Sequence, residues 1–230
     1  MKTLIATPCF GGQLTDGYFT SAIRTIRALP NCEIDFYTLG GESLISRARN
    51  HCAQYALDKG YDKLLFIDAD ISWEPAHVEM LLSSKHPLVG GTYPLKTFPA
   101  TPNFNPLEEH EHMFTAVGAK RTLGQFLDYA HKYADENGEV EVRHIPTGFM
   151  LIDRSVLEKL QDRVPCYTLL HAATKKREFN YDFFPVRVVN GEYESEDWAF
   201  CSLAREAGFK VMFNTKVLTR HIGIHTYRLT

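Results

Sequence analysis

The sequence contains no run of apolar residues approaching the roughly 18 that a membrane-spanning helix requires. Its opening residues, Met1–Pro8, favour a first strand over a signal peptide because the apolar run is short and has no cleavage-site pattern. Cysteine is also scarce, and no pair has the close spacing of a zinc or redox motif. We therefore expect buried thiols in a reducing cytoplasm at Cys9, Cys32, Cys52, Cys166 and Cys201.

Charge of one sign is scarce as well. The 25 Lys and Arg residues nearly balance 28 Asp and Glu residues, which gives a net charge of −3. This balance argues against a surface built mainly to bind a nucleic-acid backbone. Internal repeats and low-complexity linkers are lacking too. With 230 residues, of which 44% are hydrophobic, the chain is long enough to bury a core as one globular domain.

Strand and helix patterns alternate over residues 1–92. Short apolar runs bounded by Gly and Pro predict strands, and apolar residues at a period of 3.6 predict helices. This alternation predicts an α/β fold with a mostly parallel central sheet flanked by helices. The predicted strands are Thr3–Thr7, Glu33–Leu39, Lys63–Asp68 and Leu88–Thr92, and the predicted helices are Tyr18–Leu29, Ser43–Lys59 and Pro75–Ser83.

The second half of the chain is less regular. Residues 93–143 are rich in proline, acids and histidine, with one predicted helix near Leu123–Tyr133. The aromatic and basic segment Pro165–Gly191, which contains Lys175, Lys176 and Arg177, is either a lid or acceptor platform or an aromatic cluster packed on the core. Regular patterns return in the strands Ile145–Ile152 and Val211–Phe213 and the helices Ser155–Leu160 and Glu196–Ala207.

Two aspartates, Asp68 and Asp70, end the apolar strand Lys63–Asp68. In open α/β sheets, ligands bind beyond the carboxyl ends of the strands. Two carboxylates separated by one residue can share a hard divalent cation such as Mg²⁺ or Mn²⁺ with a polyphosphate. The alternative is that they only form a turn, one of them capping the next helix.

A second acidic group, Glu194–Trp198, opens the last predicted helix. Ser195 is expected to cap this helix, with Gly208 in a left-handed conformation behind it. Glu196 and Asp197 either complement the helix dipole or provide a general base. His221 follows the last predicted strand and is a metal ligand only if the chain folds back to the Asp68 strand.

The predicted helix Ser43–Lys59 has one apolar face, which includes Leu44, Ile45 and Cys52. Arg47 and Asn50 lie on the opposite face. That face is either simply solvated or turned to a phosphate, which the forked guanidinium groups of Arg47 and Arg49 would bind well.

Together, these segments resemble nucleotide-sugar glycosyltransferases of the GT-A fold, close in size to small phage and viral members. Each motif is degenerate, but their combination in this order is specific. The resemblance covers most of the chain and leaves residues 95–143 and 165–190 unmatched. The matching segments are Leu4–Pro8, Ser46–Asn50, Phe66–Asp70, Pro146–Ile152, Ser195–Cys201 and His221–Gly223.

The resemblance implies a role for each matched position. It implies Asp197 as the inverting base, with Glu196 as the second candidate, and Mn²⁺ or Mg²⁺ as the cofactor. The implied metal ligands are Asp70, Asp68 and His221, and the implied nucleotide-sugar contacts are Thr7, Pro8, Arg47, Arg49, Asn50, Asp68 and Ala69.

The resemblance also implies one GT-A domain over residues 1–230. Residues 1–92 would form its nucleotide-binding half and residues 145–230 its acceptor and catalytic half. The expected partners are a nucleoside-diphosphate sugar and a hydroxyl acceptor, which is a glycan, another hydroxyl compound or a hydroxymethylated DNA base. Two other activities remain open: a phosphohydrolase of the haloacid dehalogenase type, whose Asp-x-Asp also follows an apolar strand, and a nucleotidyltransferase that makes sugar nucleotides.

Overall fold

The computed structural model describes residues 1–96, 105–106, 114–115, 132–170, 177–223 and 226–227. The predicted helix Leu123–Tyr133 falls outside these residues except for its last two positions, and so do Lys175 and Lys176. No helix among the described residues has both the length and the apolar character needed to cross a bilayer.

A seven-stranded sheet in the order β2-β1-β3-β9-β5-β14-β8 forms the centre of the fold. Strands β9 and β8 are antiparallel to their neighbours, and the other five strands share one direction. The sheet is therefore mostly parallel, as predicted. Its strands are β1 (Lys2–Cys9), β2 (Glu33–Gly40), β3 (Lys63–Ile67), β5 (Leu88–Thr92), β8 (Glu139–Val142), β9 (Phe149–Asp153) and β14 (Val211–Leu218).

Within the described ranges, five helices cover the two faces of this sheet. On one face, α2, α4 and α5 contribute Ala53, Leu157 and Phe200 to the larger core cluster. On the other face, α1 and α3 contribute Tyr18 and Val78 to the second cluster. Both faces of the sheet are buried, which explains the continuous apolar runs of the central strands. The helices are α1 (Asp16–Ala28), α2 (Ile45–Asp58), α3 (Pro75–Leu82), α4 (Arg154–Gln161) and α5 (Glu196–Glu206).

Short strands complete the described structure. The segment Pro165–Gly191 contains an antiparallel hairpin, and its Phe183 and Phe184 are fully buried in the larger core cluster. That part of the segment is therefore core. The remaining strands are β4 (Ile71–Ser72), β6 (Asn105–Pro106), β7 (Phe114–Thr115), β10 (Cys166–Leu170), β11 (Arg177–Tyr181), β12 (Arg187–Val189), β13 (Glu192–Glu194), β15 (Arg220–Ile222) and β16 (Thr226–Tyr227).

The predicted elements of the first 92 residues are all present, with ends that differ by at most two residues. Gly60 and Gly208 follow α2 and α5 at φ values of 70° and 94°, as expected for residues that end a helix.

Cys32 and Cys166 are exposed, so the expectation that all five thiols are buried was wrong for these two. Two predicted strands were wrong in their extent. The last strand, expected to end at Phe213, continues to Leu218. The strand expected from Ile145 begins only at Phe149, because Pro146–Gly148 forms a turn beside Asp68.

Candidate active site

A cavity of about 560 Å³ lies beyond the carboxyl ends of β1 and β3. Pro8 and Cys9 of β1 line it, together with Asp68, Ala69 and Asp70 after β3. Arg49 of α2 also reaches it. This is where an open α/β sheet usually binds its ligand.

Asp70 and His221 meet at the edge of this cavity. The Nε2 atom of His221 lies 3.4 Å from Oδ2 of Asp70. A short strand pair brings them together, because β15 runs antiparallel to β4 and pairs His221 with Ile71, the residue after Asp70. The backbone N–H of Ile222 also donates to the carbonyl of Asp70 at 2.7 Å. The chain therefore folds back to the Asp-x-Asp motif, as a shared site requires.

The ring of His221 is held by residues that follow β5. Its Nδ1 atom lies 2.9 Å from the carbonyl oxygen of Pro94, which can only accept a hydrogen bond, so Nδ1 carries the proton. Tyr93 packs against the same ring edge-on, at 5.1 Å between ring centroids. Such second contacts orient histidines that bind metals, and here they turn Nε2 toward Asp70.

Asp70 also contacts a cation of the chain itself, Lys96, whose Nζ lies 2.5 Å from Oδ2. Burial alone would raise the pKa of Asp70, but hydrogen bonds from His221 and Lys96 outweigh it and lower the pKa to about 2. Asp70 is therefore a carboxylate throughout the physiological range.

Asp68 has a different environment. Its Oδ1 accepts a hydrogen bond from Nη2 of Arg49 at 3.2 Å. Among the described residues, no third His, Cys, Asp or Glu ligand atom lies within 4.8 Å of both Asp70 and His221. The structure thus brings together two of the three expected metal ligands and keeps Asp68 in an ion pair beside them.

Arg49 joins the Asp-x-Asp region to the start of α5. Its Nε donates to Oε1 of Glu196 at 3.2 Å, and its side chain is only 4% exposed. Burial disfavours the charged form, but Asp68 and Glu196 outweigh this and raise the pKa of Arg49 above its ordinary value. The third nitrogen, Nη1, is buried without a hydrogen-bond partner. An orphaned buried donor of this kind is costly and suits a site that an anionic ligand completes.

Asp197 is the second acidic residue of α5. Burial, followed by the charge of Glu196, raises its pKa to about 6. Its Oδ1 accepts hydrogen bonds from the Ser195 hydroxyl and, at 2.9 Å, from the backbone N–H of Trp198. Ser195 is at the N-cap position, but the expectation that its side chain caps the helix was wrong, because its hydroxyl donates to Asp197 instead.

Three other side chains that were predicted to contact the nucleotide form hydrogen bonds or ion pairs with other residues of the chain. The hydroxyl of Thr7 is buried against Tyr18 at 2.6 Å. Arg47 pairs with Glu42 through two contacts of 2.6 Å. Asn50 is 2% exposed, and its amide holds Asp182 at 2.8 Å and the backbone N–H of Phe184 at 2.8 Å. These three side chains do not join Arg49 and the aspartates.

The predicted faces of α2 were partly wrong. The face that contains Asn50 is buried rather than solvated, because β11 and the buried segment around Phe184 pack against it. Conversely, Leu44 and Ile45 are 54% and 42% exposed at the start of the helix. Local periodicity could not reveal a second element that covers the polar side of the helix.

Sequence reasoning missed Tyr93 and did not single out Gly148. Tyr93 is 8% exposed, and burial followed by the charges of Asp68 and Asp197 raises its pKa well above the usual range. Its hydroxyl therefore stays protonated. A Cβ on Gly148 would lie 2.6 Å from the Tyr93 hydroxyl oxygen and 2.7 Å from Oδ2 of Asp68. The sequence did contain one indication of Tyr93: it directly follows a predicted strand, and residues at that edge of an open α/β sheet often contact the ligand.

A separate group of possible metal ligands contains His86, Asp135 and Glu139. His86 precedes β5, so it lies near the amino end of that strand, away from the edge that carries Asp68. Within the group, Oδ1 of Asp135 already accepts backbone hydrogen bonds from Asn137 and Glu139 at 2.9 Å each. This group is distinct from the candidate active site.

No protein-family model matches the sequence, and no curated protein matches it. The fold, in contrast, has clear counterparts. A197 from STIV has a TM-score of 0.54 at 19% identity, covering 97% of this chain and 86% of its own. GalNAc-T7, solved with UDP, GalNAc and Mn²⁺, has a TM-score of 0.53 at 11% identity. The match covers 100% of this chain but 44% of GalNAc-T7.

The chain has the GT-A fold. Its mixed seven-stranded sheet with helices on both faces agrees with the fold class that the sequence predicted. At these identities, the likeness establishes the fold and leaves the reaction to be argued from the residues of the site.

Proposed function

We propose that this chain is a metal-dependent glycosyltransferase that moves a sugar from a nucleoside-diphosphate sugar to an acceptor hydroxyl with inversion. The observation that carries this proposal is the meeting of Asp70 and His221, 3.4 Å apart, at the mouth of the cavity of a GT-A sheet. The GT-A neighbour GalNAc-T7, solved with UDP and Mn²⁺, supports it.

The two candidate ligands, the Asp70 carboxylate and the His221 imidazole, fit a divalent cation. Two ligands of one Mg²⁺-sized ion, each about 2.1 Å from it at a right angle, lie about 3 Å apart. The Asp70–His221 separation of 3.4 Å is close to this value. When bound there, Mn²⁺ or Mg²⁺ would neutralise the charge that develops on the leaving diphosphate.

The cavity would hold the donor in residues 1–92. Its volume of about 560 Å³ lies within the range of small-molecule sites. Pro8, Asp68, Ala69 and Arg49 line it and are our proposed donor contacts. Because the Nη1 donor of Arg49 has no partner, we assign it to an anionic oxygen of the donor.

Asp197 is the proposed general base of the acceptor half, residues 145–230. Glu196 is paired with Arg49 at 3.2 Å, so its carboxylate is already engaged within the chain. Asp197 has a pKa raised to about 6, close to the pH at which the reaction would run. It takes the proton of the acceptor hydroxyl while the hydroxyl oxygen bonds to the anomeric carbon. The bond from that carbon to the diphosphate breaks, and its electron pair leaves with the diphosphate.

The test is a panel of UDP-, GDP- and TDP-sugars incubated with the protein and Mn²⁺, with release of free nucleoside diphosphate as the readout. We expect turnover of one donor, loss of turnover with EDTA, and loss in Asp70→Ala. Asp58→Ala is the control, since Asp58 lies on α2 and contacts Gln54 outside the site. Release of phosphate from a phosphomonoester without nucleotide-sugar turnover would instead indicate a phosphohydrolase. Release of pyrophosphate from a sugar phosphate and a nucleoside triphosphate would indicate a nucleotidyltransferase.

A further inference from the structure

One short segment after β5 supplies three contacts to the Asp70–His221 pair. Tyr93 packs on the imidazole ring, and the Pro94 carbonyl accepts from Nδ1. Lys96 places its ammonium 2.5 Å from Oδ2 of Asp70, the same oxygen that faces His221. The position next to Asp70 that a divalent cation would take is thus approached by a positive charge of the chain itself.

The Lys96–Asp70 pair is suited to exchange. The two side chains are 37% and 33% exposed, so water weakens their attraction and can solvate both charged groups when the pair opens. The other cation beside the cavity, Arg49, is 4% exposed and held by two carboxylates. Lys96 can therefore leave its partner at a low cost, whereas Arg49 cannot.

We propose that Lys96 is an internal counter-ion that neutralises Asp70 before a metal binds, competes with the metal for that carboxylate, and then turns to the diphosphate of the donor. The inference rests on the proposed function, because it assumes that Asp70 and His221 bind a divalent cation. Lys96 would thus be a positioning residue for the donor. It would weaken metal binding in the free protein and strengthen nucleotide binding once the metal is present.

This exchange has a signature that a purely structural role lacks. Removing the ammonium should strengthen binding of Mn²⁺ alone, because the metal no longer has to displace it. The same change should weaken binding of a nucleoside diphosphate in the presence of Mn²⁺, because one positive charge beside the phosphates is lost. Damage to the fold would move both affinities in the same direction.

The experiment is a titration of free Mn²⁺ followed by electron paramagnetic resonance, with calorimetry of the tightest of UDP, GDP and TDP at saturating Mn²⁺. We expect Lys96→Met to bind Mn²⁺ up to about fivefold more tightly than the wild type and the nucleotide more weakly. Lys96→Arg keeps the charge and should stay close to the wild type. Lys210→Met removes a similar surface pair with Glu141 at 2.9 Å and is the matched control.

Asp70→Asn separates the two ways in which the inference can fail. If it abolishes Mn²⁺ binding while Lys96→Met leaves both affinities unchanged, the role of Lys96 is wrong and the proposed metal site stands. If Asp70→Asn binds Mn²⁺ as tightly as the wild type, the metal site itself is wrong, and the inference falls with it. Weaker Mn²⁺ binding by Lys96→Met would also overturn the inference.

Discussion

The guanidinium of Arg49 lies 3.2 Å from the carboxylate of Glu196 and links α2 to the first turn of α5. The same side chain donates to Asp68 at the end of β3 and lies over the ring of Phe66, 5.4 Å from its centroid. One buried residue thus sets the relative position of the Asp-x-Asp segment and the proposed base. Its pairing also distinguishes the two neighbouring acids of α5, because Arg49 forms an ion pair with Glu196 and none with Asp197.

Arg49→Met should lower the free energy of unfolding by about 3 kcal/mol, because removing the buried guanidinium leaves two partly buried carboxylates without compensation. The measurement is the shift of the urea midpoint at constant slope. Arg47→Met is the matched control on the same helix. Its pair with Glu42 involves an arginine that is 38% exposed, so we expect a loss below about 1 kcal/mol. Equal losses in the two variants would contradict the bridging role of Arg49.

The pH profile of transfer should follow Asp197. Because its pKa is raised to about 6, the base is protonated and inactive below that pH. We expect kcat/KM to rise about tenfold per pH unit up to about pH 6 and then to level off. Ser195→Ala removes a hydrogen bond that lowers this pKa, so it should move the acid limb to higher pH. Ser202→Ala, a control on the same helix, should leave the acid limb of the profile at the same pH. If Ser195→Ala also leaves the acid limb at the same pH, Asp197 is not the base.

Asp197→Asn should abolish transfer and retain nucleotide binding, while stabilising the fold at alkaline pH. A pKa of about 6 in the folded chain lies above the unfolded value of about 3.9, so folding favours the protonated form. The favourable contribution of wild-type Asp197 is complete below about pH 4 and is lost as the pH rises through 6. Thermal unfolding of both proteins at pH 4 and pH 8 measures this. If the variant is no more stable than the wild type at pH 8, burial of the ionised Asp197 carboxylate does not destabilise the fold.

Gly148→Ala should disrupt the site through contact alone. The new Cβ would lie 2.6 Å from Tyr93 and 2.7 Å from Asp68, which forces both side chains to move. We expect about 1–3 kcal/mol of destabilisation and weaker nucleotide binding, measured by urea unfolding and calorimetry. Gly40→Ala is the control, because its nearest neighbour would be at an ordinary 3.7 Å. If Gly148→Ala binds the nucleotide as tightly as the wild type, Tyr93 and Asp68 do not contribute to binding of the nucleotide-sugar donor.

The fold of residues 1–92 could be predicted well because each helix and strand there carries its own local signal. Apolar runs identified β1, β3 and β5, and period and end residues identified α1, α2 and α5. Strand directions were harder, since β9 is antiparallel to both of its neighbours and its sequence is as apolar as that of a parallel strand. An edge strand such as β8, within an irregular and acidic region, gave no pattern to find.

Candidate site residues that directly follow a strand could be predicted from the sequence. Contacts between residues that are far apart in the sequence could not. Asp68 and Asp70 follow β3 and were found directly. Tyr93 and Lys96 also follow a strand, but they open a segment whose composition looks like a loop. Asp182, a partner of Asn50, and Glu196, a partner of Arg49, lie more than a hundred residues further along the chain, so no local period could reveal these pairs.

The pairing of β15 with β4 has a consequence for biosynthesis. The carboxylate of Asp70 comes from the segment directly after β3, whereas the imidazole of His221 comes from one of the last described strands. A nascent chain on the ribosome therefore carries Asp70 for much of its synthesis without its histidine. Until β15 emerges from the exit tunnel and docks on β4, the pair does not exist, and the metal site that we propose is incomplete.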